Sequence, residues 1–130
     1  MRERAEVNMP LLLSHQHLPG VTVIAVDGEL DAHNCHRLEA YIQQHRRRPP
    51  DQLVFDLSQA RFIDSRGLRV LVQAHALSVR TGGAVLLAAP AAMPARLLQI
   101  TGLADHLPVH ATLEEALRAA LSAAAERQTR

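Results

Sequence analysis

The sequence predicts an α/β domain: a mixed sheet of four or five strands that starts as an antiparallel hairpin and continues in parallel, with about four helices packed against it. Three observations carry this expectation. Short apolar runs rich in β-formers, at 21–26, 53–57 and 84–88, are too brief for helices. Between and after them, apolar residues recur every three or four positions, the spacing of one helical face. Such alternation closes into parallel strands with right-handed crossovers, and only the Pro19-Gly20 turn signal, between two strand-like runs, interrupts it.

Length and composition set the frame. At 130 residues the chain has the size of one ordinary domain, able to bury about two-thirds of its unfolded surface. The expected division is a flexible segment at 1–8, a domain over 9–125 and a flexible tail at 126–130. Hydrophobic residues make up 48% and charged residues 21%, while aromatics at 2% force an aliphatic core. The single Cys35 excludes an internal disulfide, the opening Met-Arg-Glu-Arg-Ala-Glu lacks the apolar run of a leader, and no long apolar run proposes a membrane span. A cytoplasmic location is expected. A formal net charge of +1 with neutral histidines gives no general attraction to nucleic acid. The local cluster His45-Arg46-Arg47-Arg48 follows a predicted helix and precedes Pro49-Pro50, where cations suit the helix C-terminal dipole and proline stops the helix.

The elements follow in order. Leu11-Leu12-Leu13 opens the first strand of the hairpin, and residues 21–26 form the second, ending in Asp27-Gly28-Glu29-Leu30-Asp31. Cys35, Leu38, Tyr41 and Ile42 then mark a helix, with Asp31 or Asn34 as its natural cap. Residues 53–57 read as a buried strand, and a short connection carrying Phe62 and Ile63 leads to a helix with Leu68, Leu71, Val72, Ala76 and Val79 on its inward face. Gly82-Gly83 closes that helix. A strand at 84–88, a short helix starting near Pro94 and carrying Leu97, Leu98 and Ile100, and an edge strand at 107–110 come next. Thr112-Leu113-Glu114-Glu115 matches a capping box for a last helix with Leu113, Leu117, Leu121 and Ala124 inward.

Catalytic readings fail on geometry and spacing. Ser65 lacks the flanking glycines of a nucleophile elbow, and His75 lies about 15 Å along the helix from it by helical rise, too far to serve as its base. His15 with His17 and His33 with His36 have no cysteine or acidic cluster at structural-zinc spacing, and no glycine-rich phosphate loop is present. No cofactor or metal is expected, and the chain is read as a non-enzyme.

The turn Asp64-Ser65-Arg66-Gly67 remains. A hydroxyl at a helix N-terminus is first explained as a cap worth about 1 kcal/mol. Arg66 has no such explanation, because a cation there faces the positive end of the helix dipole at a cost of about 0.3 to 1 kcal/mol. Arg66, Arg69, Gln73 and Arg80 share the outward face of the helix, a basic stripe that suits either solvent or a partner.

Gly28-Glu29-Leu30-Asp31, Asp56-Leu57-Ser58, Phe62 to Leu68, Ala88-Ala89-Pro90 and Thr101-Gly102-Leu103, in this order over residues 9–123, resemble the STAS domain of bacterial anti-sigma factor antagonists. The resemblance implies a binding protein that engages an anti-sigma factor, either a GHKL-type serine kinase or a non-kinase relative, and so frees a sigma factor. Partner-binding residues carried over or adjoining are Asp31, Asp64, Ser65, Arg66, Gly67 and Arg69. The family's phosphorylated hydroxyl immediately precedes the motif glycine, where this chain has Arg66, so the usual switch is expected to be missing; Ser65 is the only adjacent hydroxyl. Alternative readings are a STAS subunit of another assembly, such as a phospholipid- or sulfate-transport accessory or a stressosome-like scaffold, or a small-ligand or nucleotide sensor. The sequence leaves monomer and weak homodimer both open.

Overall fold

The turn after Leu18 folds β1 (Leu12–Leu18) back on β2 (Val21–Leu30), with Gly20 at φ +73°, a conformation that an L side chain resists. The structure is a computed structural model describing residues 10–128; the expected flexible segment at 1–8 and the last two residues of the expected tail lie outside the described residues. After the hairpin come α1 (Cys35–His45), β3 (Gln52–Ile63), α2 (Ser65–Arg80), β4 (Val85–Ala88), α3 (Ala92–Ile100), a 3₁₀ turn (Leu103–Asp105), β5 (Val109–His110) and α4 (Leu113–Gln128). The sheet order is β1-β2-β3-β4-β5, antiparallel at β1–β2 and parallel elsewhere, as the alternating sequence predicts.

Strand alternation divides the core between the two sheet faces. Leu53, Phe55 and Leu57 join α1, α2 and α3 on one face, through Leu38, Leu71 and Leu98 among others. Val54 points the other way and meets Ala116, Ala120 and Ala124 of α4, together with Val21, Val23 and Leu86. Both faces are covered in this way, which is why the central strands are continuous apolar runs.

Several local expectations differ from the structure, each for a packing reason. β3 does not stop at Leu57; it continues to Ile63 because β2 keeps pairing with it past two register shifts, up to Leu30 opposite Ile63. The inward face of α2 is formed by Gly67, Leu68, Val70, Leu71, Ala74 and Ser78, while Val79 is 55% exposed. Ser78 is drawn inside by the neighbouring helix: its hydroxyl accepts a 2.6 Å hydrogen bond from Arg46 Nη2 at the end of α1. In α4 Ala124 is buried as expected, but the rest of the fully buried stripe is Ala116 and Ala120, since small side chains let the helix approach the sheet closely; Leu113 and Leu117 pack against it half-buried, and Leu121 is exposed. Of the apolar residues carried by α3, Leu98 is buried while Ile100, at its end, is 71% exposed.

The helix ends follow their residues. At the close of α2, Gly82 takes φ +89°, its N–H donates to Val79 O and the Gly83 N–H donates to Ser78 O, the paired bonds of a Schellman motif. Arg127, in the continuation of α4 to Gln128, donates from Nη1 to Gly82 O at 3.0 Å. Thr112 Oγ1 accepts the Glu115 N–H at 3.1 Å, one half of the expected capping box.

Candidate functional site

β2 and β3 run parallel and end side by side, Leu30 opposite Ile63, so the loops that follow them start from neighbouring positions. Crevices outside the carboxyl ends of parallel strands are where α/β domains present ligand-facing groups. Here the first loop carries Asp31 and Asn34 and the second consists of Asp64 alone, residue types whose short side chains hydrogen-bond nearby backbone.

In the first loop, Asp31 Oδ1 accepts from the N–H groups of His33 and Asn34 at 2.9 and 3.2 Å. Asn34 answers in kind: its Oδ1 accepts the Asp31 N–H at 2.9 Å and its Nδ2 donates to Glu29 O at 2.9 Å. The two side chains close the loop reciprocally, and neither caps the exposed amides of α1 in the ordinary way.

In the second loop Asp64, not Ser65, is the N-cap of α2. Its Oδ1 accepts from Arg66 N and Gly67 N at 3.0 and 2.9 Å, and its Oδ2 accepts from Ala32 N of the first loop at 3.0 Å. Its own N–H donates to Leu30 O at 3.1 Å. Gly67 completes the junction. A Cβ there would stand 2.8 Å from both the Leu30 carbonyl oxygen and Leu30 Cγ, so the helix start presses on the end of β2 at a distance only glycine allows.

The six residues singled out from sequence thus differ in surroundings. Asp31 and Asp64 are half-buried and occupied with backbone amides, and Gly67 is buried against Leu30. Ser65, Arg66 and Arg69 are exposed. Neither the Arg66 nor the Arg69 guanidinium has an ion-pair partner among the described residues. Arg66 therefore projects from the second position of a helix whose start is held rigidly from beneath. Gln73 and Arg80 are also exposed farther along α2.

Sequence reasoning missed two contributors. Ala32 supplies the amide that ties the loops together, and an alanine carries no sequence signal for that role. Phe62, near the end of β3, is 38% exposed beside this junction, although its apolar character argues for the core. Chemically, the arrangement offers an exposed cation on a braced helix start. Among the described residues no group of His, Cys, Asp and Glu is placed to hold a metal ion, and no helix is long and apolar enough to cross a membrane.

Comparison with known proteins agrees with this architecture. The STAS domain family matches residues 13–116. The anti-sigma F factor antagonist of Paenibacillus polymyxa is 28% identical over 103 residues, covering 78% of this chain and 88% of that protein. An anti-sigma factor antagonist from Mycobacterium paratuberculosis superposes with a TM-score of 0.72 at 33% identity, covering 85% of this chain and 94% of that one. A sulfate transporter family protein from Wolinella succinogenes shares the fold, with a TM-score of 0.70 at 19% identity over 83% of this chain and 91% of that one.

Proposed function

The chain belongs to the STAS domain family, and on that premise we propose that it is an anti-sigma factor antagonist that docks through the first turn of α2 and the Asp31 loop. It binds the anti-sigma factor and releases the sigma factor, and it catalyses nothing itself. The observation that carries the reading is Arg66: an exposed guanidinium without an ion-pair partner among the described residues, on a helix start braced by Asp64 and Gly67, at the position where the resemblance to the family places a modifiable hydroxyl. Arginine is well suited to such a site, since its planar fork binds carboxylates at two points and is enriched at interface hot spots.

With arginine in that place, a kinase has no hydroxyl to modify at residue 66, and binding does not depend on phosphorylation there. The relationship to the P. polymyxa and M. paratuberculosis proteins supports an anti-sigma factor as the partner, whether of the GHKL-type kinase class or a relative without kinase activity. The test is calorimetric titration of the full chain with the anti-sigma factor encoded in the same genome. Saturable one-site binding that competes with the sigma factor is expected; no binding to any anti-sigma factor of that genome refutes the assignment.

A further inference from the structure

We propose that His15, His17, Tyr41 and His45 form an acid-released latch that fastens the C-terminal half of α1 to the edge strand β1. The four rings are interlocked. His15 Nδ1 lies 2.7 Å from the Tyr41 hydroxyl, and the His15 and His45 rings stack with centroids 3.9 Å apart and planes inclined by 29°. Tyr41 and His45 are 4.2 Å apart, and His17 meets the edge of His15 at 5.1 Å. His17 is anchored from behind, its Nδ1 lying 3.2 Å from the hydroxyl of buried Thr22 on β2.

The latch is needed because of where α1 sits. Its buried core contacts come from Leu38 and Ile42, and beyond them its end is tied by Arg46 to Ser78 and by Arg47 to the Leu18 carbonyl, so the rings are the contacts that fasten its last turn to the middle of β1. Three of the four rings are imidazoles, the side chain whose charge responds to mild acid. The charged groups that act on the cluster are Arg47, just after α1, and Asp51, just before β3; among the described residues Asp51 is the one carboxylate acting on it. Neutral imidazoles stack at van der Waals contact, whereas two imidazolium ions at the same separation repel with little compensation from a single acid. Removal from water, together with Arg47 and the neighbouring histidines, lowers the His17 pKa below its ordinary 6.5, and removal from water with His15 does the same for His45. Folding therefore favours the neutral rings. The latch is closed above about pH 6.5 and opens as pH falls below it.

The chain's own fluorophore makes this testable, since Tyr41 is the single tyrosine and the chain contains no tryptophan. The experiment is a titration of the intact protein from pH 7.5 to 5.0, following Tyr41 emission and ring NMR signals together with amide exchange across α1, corrected for intrinsic rates. In the expected result, the Tyr41 signals change below pH 6.5 and the amides of residues 41–45 exchange at least about tenfold faster at pH 5.5 than at 7.5, while those of β3 do not. In an H15Q/H45Q variant, which cannot acquire charge on the stacked pair, both responses are lost. Unchanged protection of residues 41–45 in the wild-type protein across this range overturns the proposal, and that measurement requires no variant to fold.

Discussion

Asp64 Oδ2 accepts the Ala32 N–H at 3.0 Å, so a single carboxylate that caps α2 also holds the loop leading into α1. The junction between the two loops is thus one residue deep. Removing it exposes three amides at once, two at the helix start and one in the neighbouring loop.

We expect Asp64→Ala to destabilise the domain by about 2 kcal/mol, the sum of a lost N-cap and a lost charge-assisted bond. Asp64→Asn keeps the capping oxygen but replaces the oxygen facing Ala32 with a donor, so it should lose about half as much. Urea denaturation of the three proteins orders them; equal stability of Asp64→Asn and wild type means the Ala32 bond contributes nothing.

Arg66 separates binding from stability. Arg66→Glu should weaken partner binding by more than about tenfold, equivalent to about 1.4 kcal/mol. Its stability should be unchanged or higher by a few tenths of a kcal/mol, because an anion suits the helix N-terminus better than a cation. Calorimetry and thermal melting on the same preparations check both halves.

Restoring the hydroxyl should restore the switch. With a GHKL-type partner kinase and ATP, an Arg66→Ser protein is expected to take up phosphate at residue 66 and to lose affinity, since a group of nearly two negative charges is then forced into the interface. The wild-type chain should remain unmodified there. Phosphopeptide mapping decides, and stoichiometric phosphate on Ser65 of the wild type contradicts the proposed loss of regulation.

Gly67→Ala opposes two effects of known size. Alanine improves helix propensity by about 1 kcal/mol. The new methyl, however, meets Leu30 O and Cγ at 2.8 Å, and moving a backbone carbonyl that already accepts the Asp64 N–H costs about 1 to 3 kcal/mol. A net loss is expected, visible as a lower urea midpoint.

His75 gives the fold a second acid sensitivity, independent of the rings on β1. Its Nδ1 accepts the Val85 N–H at 3.3 Å, so it must be unprotonated at that atom, and burial lowers its pKa below the ordinary 6.5. Because the folded pKa is depressed, the unfolded chain binds more protons below that value. The stabilisation is complete above pH 6.5 and declines as pH falls through it. His75→Gln, which keeps an acceptor without a titrating group, should flatten this part of the pH dependence of the urea midpoint.

Periodicity carried much of this fold. The strand runs at 21–26, 53–57 and 84–88 alternate with helical spacing because buried parallel strands must be apolar on both faces, and that requirement is written residue by residue. The turn glycines and the Asp-Ser-Arg-Gly turn were equally readable, since their roles depend on local backbone. Errors came where two elements meet. No local rule says that Ser78 and not Val79 faces inward; that follows from the Arg46 side chain reaching across from α1. Nor does hydropathy rank Ala120 above Leu121 for burial, which depends on how closely α4 lies on the sheet.

By itself, then, the sequence determined the class of fold, the order of its elements and the presence of an arginine directly before Gly67, because each of these rests on residue type and spacing along the chain. Only the tertiary structure decided that Asp64 reaches Ala32, that Gly67 bears on Leu30, and that four rings from β1 and α1 close on one another. Those contacts join residues about 26 to 37 positions apart, and the distance between them is set by how strands and helices pack rather than by any pattern within either segment.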